Sequence, residues 1–163
     1  MAKEIERKFL VANDTYLEME TSRIEIIQGY LCRDPESTVR VRVTGDKAYL
    51  TVKGPNIGAV RDEWEFAIDP PQARQMLASV ARGPVIEKTR HIVPFGGLVW
   101  EVDEFHGPLA GLCIAEVEIP TADTEVAIPP FAGSEVTGNP AYYNSNLNAL
   151  PDNRHRPESG HTL

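Results

Sequence analysis

Two cysteines, Cys32 and Cys113, are all that the 163-residue chain carries, and they stand far apart with no C-x-x-C arrangement. That pattern points to two unpaired, reduced thiols in a cytoplasmic protein. No run of about 18 apolar residues is present, so no membrane partner is expected. The opening MAKEIERKFLV lacks the apolar core of a signal peptide. Basic residues are in the minority: 16 Lys+Arg against 24 Asp+Glu give a formal charge of −8. Nucleic-acid binding needs a clustered basic surface and is not expected, whereas a small anion in a local basic pocket is compatible with that balance. The GxSxG elbow, the Walker A loop and GxGxxG are absent. His91, His106, His155 and His161 show no zinc-ligand spacing.

What is present is a composition near the globular average, 42% hydrophobic and 25% charged, at a length suited to one domain. Thirteen prolines and twelve glycines cut the chain into short pieces, most of which read as strands. The candidates are Glu4–Val11, Ile24–Leu31, Thr38–Thr44, Lys47–Lys53, Arg61–Ile68, Val85–Val93, Leu98–Phe105 and Leu112–Ile119. Gly45 and Gly96-Gly97 mark tight turns between neighbours. Helix is expected over Pro70–Ala81, with shorter turns at Asp14–Thr21, Thr121–Val126 and Tyr142–Leu150. Residues 1–150 form the expected domain, and the polar, aperiodic 151–163 reads as a flexible tail.

Side chains at i, i+2 and i+4 of a strand share a face. At that period Glu4, Glu6 and Lys8 fall together, as do Arg40 with Arg42, Thr51 with Lys53, and Arg61 with Glu63 and Glu65. Lys88 pairs in the same way with Arg90, Glu101 with Asp103, and Glu116 with Glu118. The opposite parity is mostly apolar. An ordinary sandwich with its charges in solvent would alternate similarly, but these charges are sorted by sign: E-x-E in the first and last strands, R-x-R and K-x-R in the middle. Large apolar groups such as Trp64, Phe66 and Trp100 need cover, which a few helices can supply only from outside a curved sheet. The expected fold is therefore mainly β: an eight-stranded antiparallel closed barrel with a few covering helices and an inward-facing charged lining.

So many buried charges cost several kcal/mol per ion unless partners compensate them. An occupant that is anionic and carries a divalent metal would do so. Carboxylates suit Mg²⁺ or Mn²⁺, and arginine forks match phosphate oxygens. A barrel for an apolar ligand would leave the sorted pairs without purpose.

The segment Glu4-Ile5-Glu6-Arg7-Lys8-Phe9 resembles the E-x-E-x-K signature of the CYTH superfamily, the triphosphate tunnel metalloenzymes. It is followed in family order by Gln28-Gly29-Tyr30-Leu31, Arg40-Val41-Arg42, Thr51-Val52-Lys53 and Arg61-Asp62-Glu63-Trp64-Glu65. Glu87-Lys88-Thr89-Arg90, Glu101-Val102-Asp103 and Glu116-Val117-Glu118 complete the set. The resemblance covers about residues 2–150 and is greatest to the short bacterial members. It implies a Mg²⁺- or Mn²⁺-dependent enzyme that hydrolyses a small-molecule triphosphate, foremost inorganic tripolyphosphate, by in-line attack of a metal-activated water. It implies metal at Glu4, Glu6, Glu116 and Glu118, and phosphates at Lys8, Arg40, Arg42, Lys53, Lys88 and Arg90. Arg61, Glu63, Glu65, Glu101 and Asp103 are supporting candidates, and Lys8 with Tyr30 forms the implied catalytic pair. Ala141 departs from the family pattern D-x-R-Y-x-N, which has a cation there. Thiamine or nucleoside triphosphate hydrolysis, ATP cyclisation and non-catalytic polyphosphate binding remain alternatives. Relatives of this kind are often dimers, so a homodimer is one expectation, helix cover of the outer apolar side chains the other.

Overall fold

A computed structural model describes residues 2–149; the expected flexible tail, 151–163, lies outside them. Nine strands and two helices follow in the order β1 (Ala2–Val11), α1 (Tyr16–Met19), β2 (Ser22–Asp34), β3 (Ser37–Thr44), β4 (Lys47–Lys53), β5 (Val60–Ile68) and α2 (Pro70–Ser79). Then come β6 (Ile86–Phe95), β7 (Leu98–Phe105), β8 (Cys113–Glu118) and β9 (Ala132–Glu135), with short 3₁₀ turns at Gly107–Leu109, Pro140–Tyr142 and Asn144–Ala149.

All strand pairings are antiparallel, in the order β5-β4-β3-β2-β6-β7-β8-β1, and β1 returns to β5 to close the sheet. β1 does this by changing partner along its length. Ala2–Ile5 pair with β5, and Glu6–Leu10 pair with β8. The result is the expected eight-stranded closed barrel. β9, which the sequence reading did not include, adds to the far end of β1. β2 runs longer than expected because a register shift between Tyr30 and Cys32 absorbs a residue and lets pairing continue to Asp34.

Asp69 caps α2 by accepting from the Gln72 amide, and Pro70 sits where no intrahelical donor is needed. The helix ends at Ser79, two residues before the expected Ala81, where the chain turns back and the Arg82 amide donates to the Tyr30 carbonyl. At Thr121–Val126 a single hydrogen-bonded turn forms, the Thr124 amide donating to the Thr121 carbonyl, and it does not continue as helix. There the Thr121 amide donates to Thr124 Oγ1 and the Thr121 hydroxyl to Asp123, local bonds that compete with helix.

The core lies outside the barrel. α1 and the loop carrying Phe131 cover one wall, where Trp100, Phe9, Tyr16 and Val117 pack together. Helix α2 covers another, setting Ala73 and Leu77 on Val41, Val43 and Ala48. Gly29 permits that approach, since a Cβ there would stand 2.9 Å from Leu77 Cδ2. A third apolar cluster lies inside. Leu10, Ile86, Phe105 and Ile114 continue the charged parity of their strands and meet Tyr30, Tyr142 and Leu147, so one end of the bore is filled with hydrocarbon.

The expectation that Trp64 and Phe66 are buried is corrected: they are 37% and 55% exposed. They sit on the outer face of β5, whereas α2 packs mainly on β2, β3 and β4. A test of the external core follows. Trp100→Ala should cost about 3–5 kcal/mol in urea unfolding, as a fully buried aromatic does, and Phe66→Ser should stay within about 0.5 kcal/mol of wild type.

Candidate active site

Cross-strand register gathers the charged parity into one bore. Glu6 stands opposite Glu118 and Lys8 opposite Glu116 across β1–β8. Arg40 faces Thr51 across β3–β4, Lys53 faces Glu63 across β4–β5, and Arg90 faces Asp103 across β6–β7. A wholly polar cavity of about 240 Å³ results. The carboxylates lining it are Glu4, Glu6, Glu63, Glu65, Glu101, Glu116 and Glu118, and its cations are Arg40, Arg42, Lys53 and Arg90. Seven acids against four bases make this chamber attractive to cations. A second, narrower chamber of about 40 Å³ shares Glu6, Arg40, Lys53 and Asn144 with the first. It adds Lys8, Arg61 and the Tyr30, Thr38 and Thr137 side chains, so it is predominantly cationic.

Two of the expected phosphate-site and support residues do not line either chamber. Lys88 is 1% exposed and Asp103 2%. Lys88 Nζ donates to Asp103 at 2.6 Å, and Arg90 grips the same carboxylate at 2.8 and 2.9 Å. Burial alone would raise the Asp103 pKa, but Arg90 and Lys88 reverse it and hold the group ionised. Full burial, reinforced by Arg90 and Arg42, brings Lys88 down to about 7 despite Asp103.

The remaining charges fall into satisfied and unsatisfied sets. Lys53 binds Glu4 at 2.9 Å and Glu63 at 3.4 Å. Lys8 lies 3.3 Å from Glu116 and donates to the Tyr142 carbonyl at 3.0 Å. Arg90 reaches Glu101 at 3.2 Å and Glu116 at 3.4 Å. Burial opposes ionisation of Glu116, yet Lys8 and Arg90 keep it at about 2. Glu6, by contrast, has no ion pair among the described residues, and burial with Glu116 and Glu4 beside it pushes its carboxyl up to about 8. Burial and neighbouring carboxylates likewise raise Glu63 and Glu118; burial also raises Glu101, against the pull of Arg90. On the other side, burial, Arg40 and Arg90 lower Arg42 to about 9, and the Arg40 Nε is buried without a partner.

An uncompensated carboxyl at Glu6, ringed by Glu4, Glu116 and Glu118, is the donor chemistry a hard divalent cation requires. No three acidic or histidine side chains are converged on a metal position among the described residues. Glu4 and Glu116 are instead turned to Lys53 and Lys8.

Other side chains at the site stand on elements where the charge pattern is silent. Gln28, on β2, donates nothing to the pattern, yet its Oε1 accepts from Arg42. Asn144 reaches both chambers from the C-terminal turns, which Arg33 tethers through its Nε bond of 2.7 Å to the Ser145 carbonyl. Tyr143 stacks near the Lys8 and Arg61 cations. In the sequence, Gln28 is marked by the family-like segment Gln28-Gly29-Tyr30-Leu31, whereas Tyr143 and Asn144 carry no signal beyond the expected turn at Tyr142–Leu150.

The model of the CYTH domain matches residues 2–145. The chain belongs to the CYTH family. It is 46% identical over 147 residues to an inorganic triphosphatase of Acetivibrio thermocellus, covering 90% of this chain and 94% of that one. An inorganic triphosphatase of Nitrosomonas europaea is 39% identical over 149 residues, covering 88% and 95%. A crystal structure of an inorganic triphosphatase superposes with a TM-score of 0.65 at 34% identity, covering 90% of this chain and 95% of that chain. The same CYTH fold is shared, at 15% identity and a TM-score of 0.58, with a putative adenylyl cyclase from Hippeastrum.

For this CYTH site the raised Glu6 carboxyl has a measurable consequence. Its folded pKa of about 8 lies above the usual value, so in the metal-free protein this group favours folding less as pH rises through that interval. A divalent cation binds only the carboxylate and must expel the proton. Titration with Mg²⁺ at pH 7 should release a proton, seen as an apparent enthalpy that tracks the buffer's ionisation enthalpy. Glu6→Gln should remove that dependence.

Proposed function

We propose that the protein is a divalent-metal-dependent hydrolase of inorganic tripolyphosphate, releasing orthophosphate by attack of water on a terminal phosphorus. The observation that carries the reading is the sorting of unsatisfied charge along the bore. Among the described residues Glu6 has no ion-paired cation and Arg42 no ion-paired anion, and the Arg40 Nε beside Arg42 is buried without a hydrogen-bond partner. A polyphosphate chelated to a metal supplies both. The family membership and the two inorganic triphosphatase relatives support the same substrate.

In this reading Glu4, Glu6, Glu116 and Glu118 would hold Mg²⁺ or Mn²⁺. When bound, such an ion neutralises phosphate oxygens and makes a water more acidic. Arg40, Arg42, Lys53 and Arg90 bind and orient the phosphate chain, offsetting charge on its equatorial and leaving oxygens. Lys88 and Asp103 act from behind, fixing the Arg90 guanidinium. Lys8 and Tyr30, in the cationic chamber, position the attacking water, and Arg61 adds positive potential there. Glu63, Glu65 and Glu101 restrain Lys53, Arg40 and Arg90 respectively through their ion pairs. We place the activity in the cytoplasm, consistent with the unpaired Cys32 and Cys113.

Thiamine or nucleoside triphosphates need a stacking surface for the organic group. Of the two aromatic side chains at the cationic chamber, Tyr30 is buried, and Tyr143 donates its hydroxyl to the Gly138 carbonyl and turns its ring toward two cations. Phosphate release should therefore be fastest from tripolyphosphate in a panel with ATP and thiamine triphosphate, each assayed with Mg²⁺ and Mn²⁺. Cyclic AMP formation from ATP would overturn the hydrolase reading, and tight metal-independent polyphosphate binding without turnover would favour a binding module. Glu4→Gln and Glu6→Gln should each abolish metal-supported turnover. Arg40→Ala should raise KM for tripolyphosphate by about tenfold or more, the loss of one charge-assisted contact.

A further inference from the structure

Gln28 sits in the middle of β2, opposite Arg42 on β3 and Ile86 on β6. It is 0% exposed. Its Oε1 accepts from Arg42 Nε at 2.9 Å and from Arg42 Nη2 at 2.8 Å, while its Nε2 is buried with no partner. Two donors on one guanidinium edge require an acceptor facing them, so Arg42 dictates which way the amide points.

Arg90, on the neighbouring strand, is held very differently. It contacts Asp103, Glu101 and Glu116, three carboxylates that pin it and also cancel its charge. Arg42 has no ion pair among the described residues, and its close hydrogen-bond partner is the neutral Gln28 amide. A carboxylate in place of that amide would form a stronger, charge-assisted fork and would leave no unpaired donor. The molecule has the weaker arrangement at a fully buried position.

We propose that Gln28 is a positioning residue: it fixes the Arg42 guanidinium by a neutral bidentate contact, so that the full positive charge is presented to the phosphate chain. Gln28 itself touches no substrate, because its free amide nitrogen is enclosed in protein. The inference rests on the triphosphatase reading for the identity of the anion, and it adds the residue that keeps one anion-binding charge uncompensated. Neutrality is the property that matters, which separates this role from packing. Glutamate has nearly the same shape, so packing alone predicts no loss, whereas charge cancellation predicts a protein that folds well and binds poorly.

The test is titration of the full-length protein with sodium tripolyphosphate in EDTA, alongside thermal melting. Gln28→Glu should melt at or above the wild-type temperature yet bind tripolyphosphate about tenfold or more weakly, as expected for loss of one charge contact. In an Arg42→Met background the same change should add less than about twofold, because the charge it acts on is gone. Gln28→Met keeps the volume and removes the acceptor. It should weaken binding through a disordered Arg42, and it keeps the test intact should Gln28→Glu fold poorly. Binding by Gln28→Glu within about twofold of wild type, an equal loss with and without Arg42, or unchanged binding by Gln28→Met would each overturn the proposal. Wild-type turnover decides the triphosphatase reading separately, since the Gln28 comparison is read without metal and without catalysis.

Discussion

Charges of both signs gathered inside a closed sheet are the constraint on which the rest of this molecule depends. A barrel lined with carboxylates and guanidinium groups cannot draw its stability from its own interior, because desolvated ions cost more than a generic polar surface. The hydrocarbon core has been moved outside, beneath α1, α2 and the loop carrying Phe131. Where the interior does become apolar, at Leu10, Ile86, Phe105 and Ile114, it is because the bore ends there and the C-terminal turns close over it.

Within the bore, antiparallel register decides which charges are neutralised. Residues directly opposite on neighbouring strands are close enough to pair, and so Lys8 finds Glu116, Lys53 finds Glu63 and Arg90 finds Asp103. Those pairs make the wall rigid. The same register sets Glu6 against Glu118 and Arg42 against a neutral glutamine, so these positions are left electrostatically incomplete. Perturbed ionisation at Glu6 and Arg42 is the signature of that incompleteness, and it marks where a ligand of complementary charge gains most. A single wall thus combines pinned charges, which preserve geometry, with free ones, which attract.

Most of the architecture could be read from alternation alone. Val39, Val41 and Val43 opposite Arg40 and Arg42, or Ala115 and Val117 opposite Glu116 and Glu118, announce strands with one charged and one apolar face. Turn glycines such as Gly45, at φ 63°, announce the hairpins. β9 was not legible, because AGSE has neither alternation nor strong strand propensity and pairs only because β1 offers a free edge. Trp64 and Phe66 depart from the expected burial for a related reason. Parity gives the face on which a side chain lies, but not whether another element covers that face. The charged lining of the two chambers was legible from the alternation, except that Lys88 and Asp103 lie buried behind it and the neutral side chains at the bore carry no such signal. Gln28 has no charge to sort, and Asn144 lies on a turn without period.

The amino-acid order by itself determined the strands, their two unlike faces and the identity of the charged groups, since period-two alternation is a local property of an extended chain. Only the tertiary structure decided which charges are cancelled and which are left free. That outcome depends on which strand lies beside which, and on the switch by which β1 leaves β8 to close against β5. Pairing energies between ions fall off over a few ångströms, so they are set by cross-strand distances that no one-dimensional pattern contains.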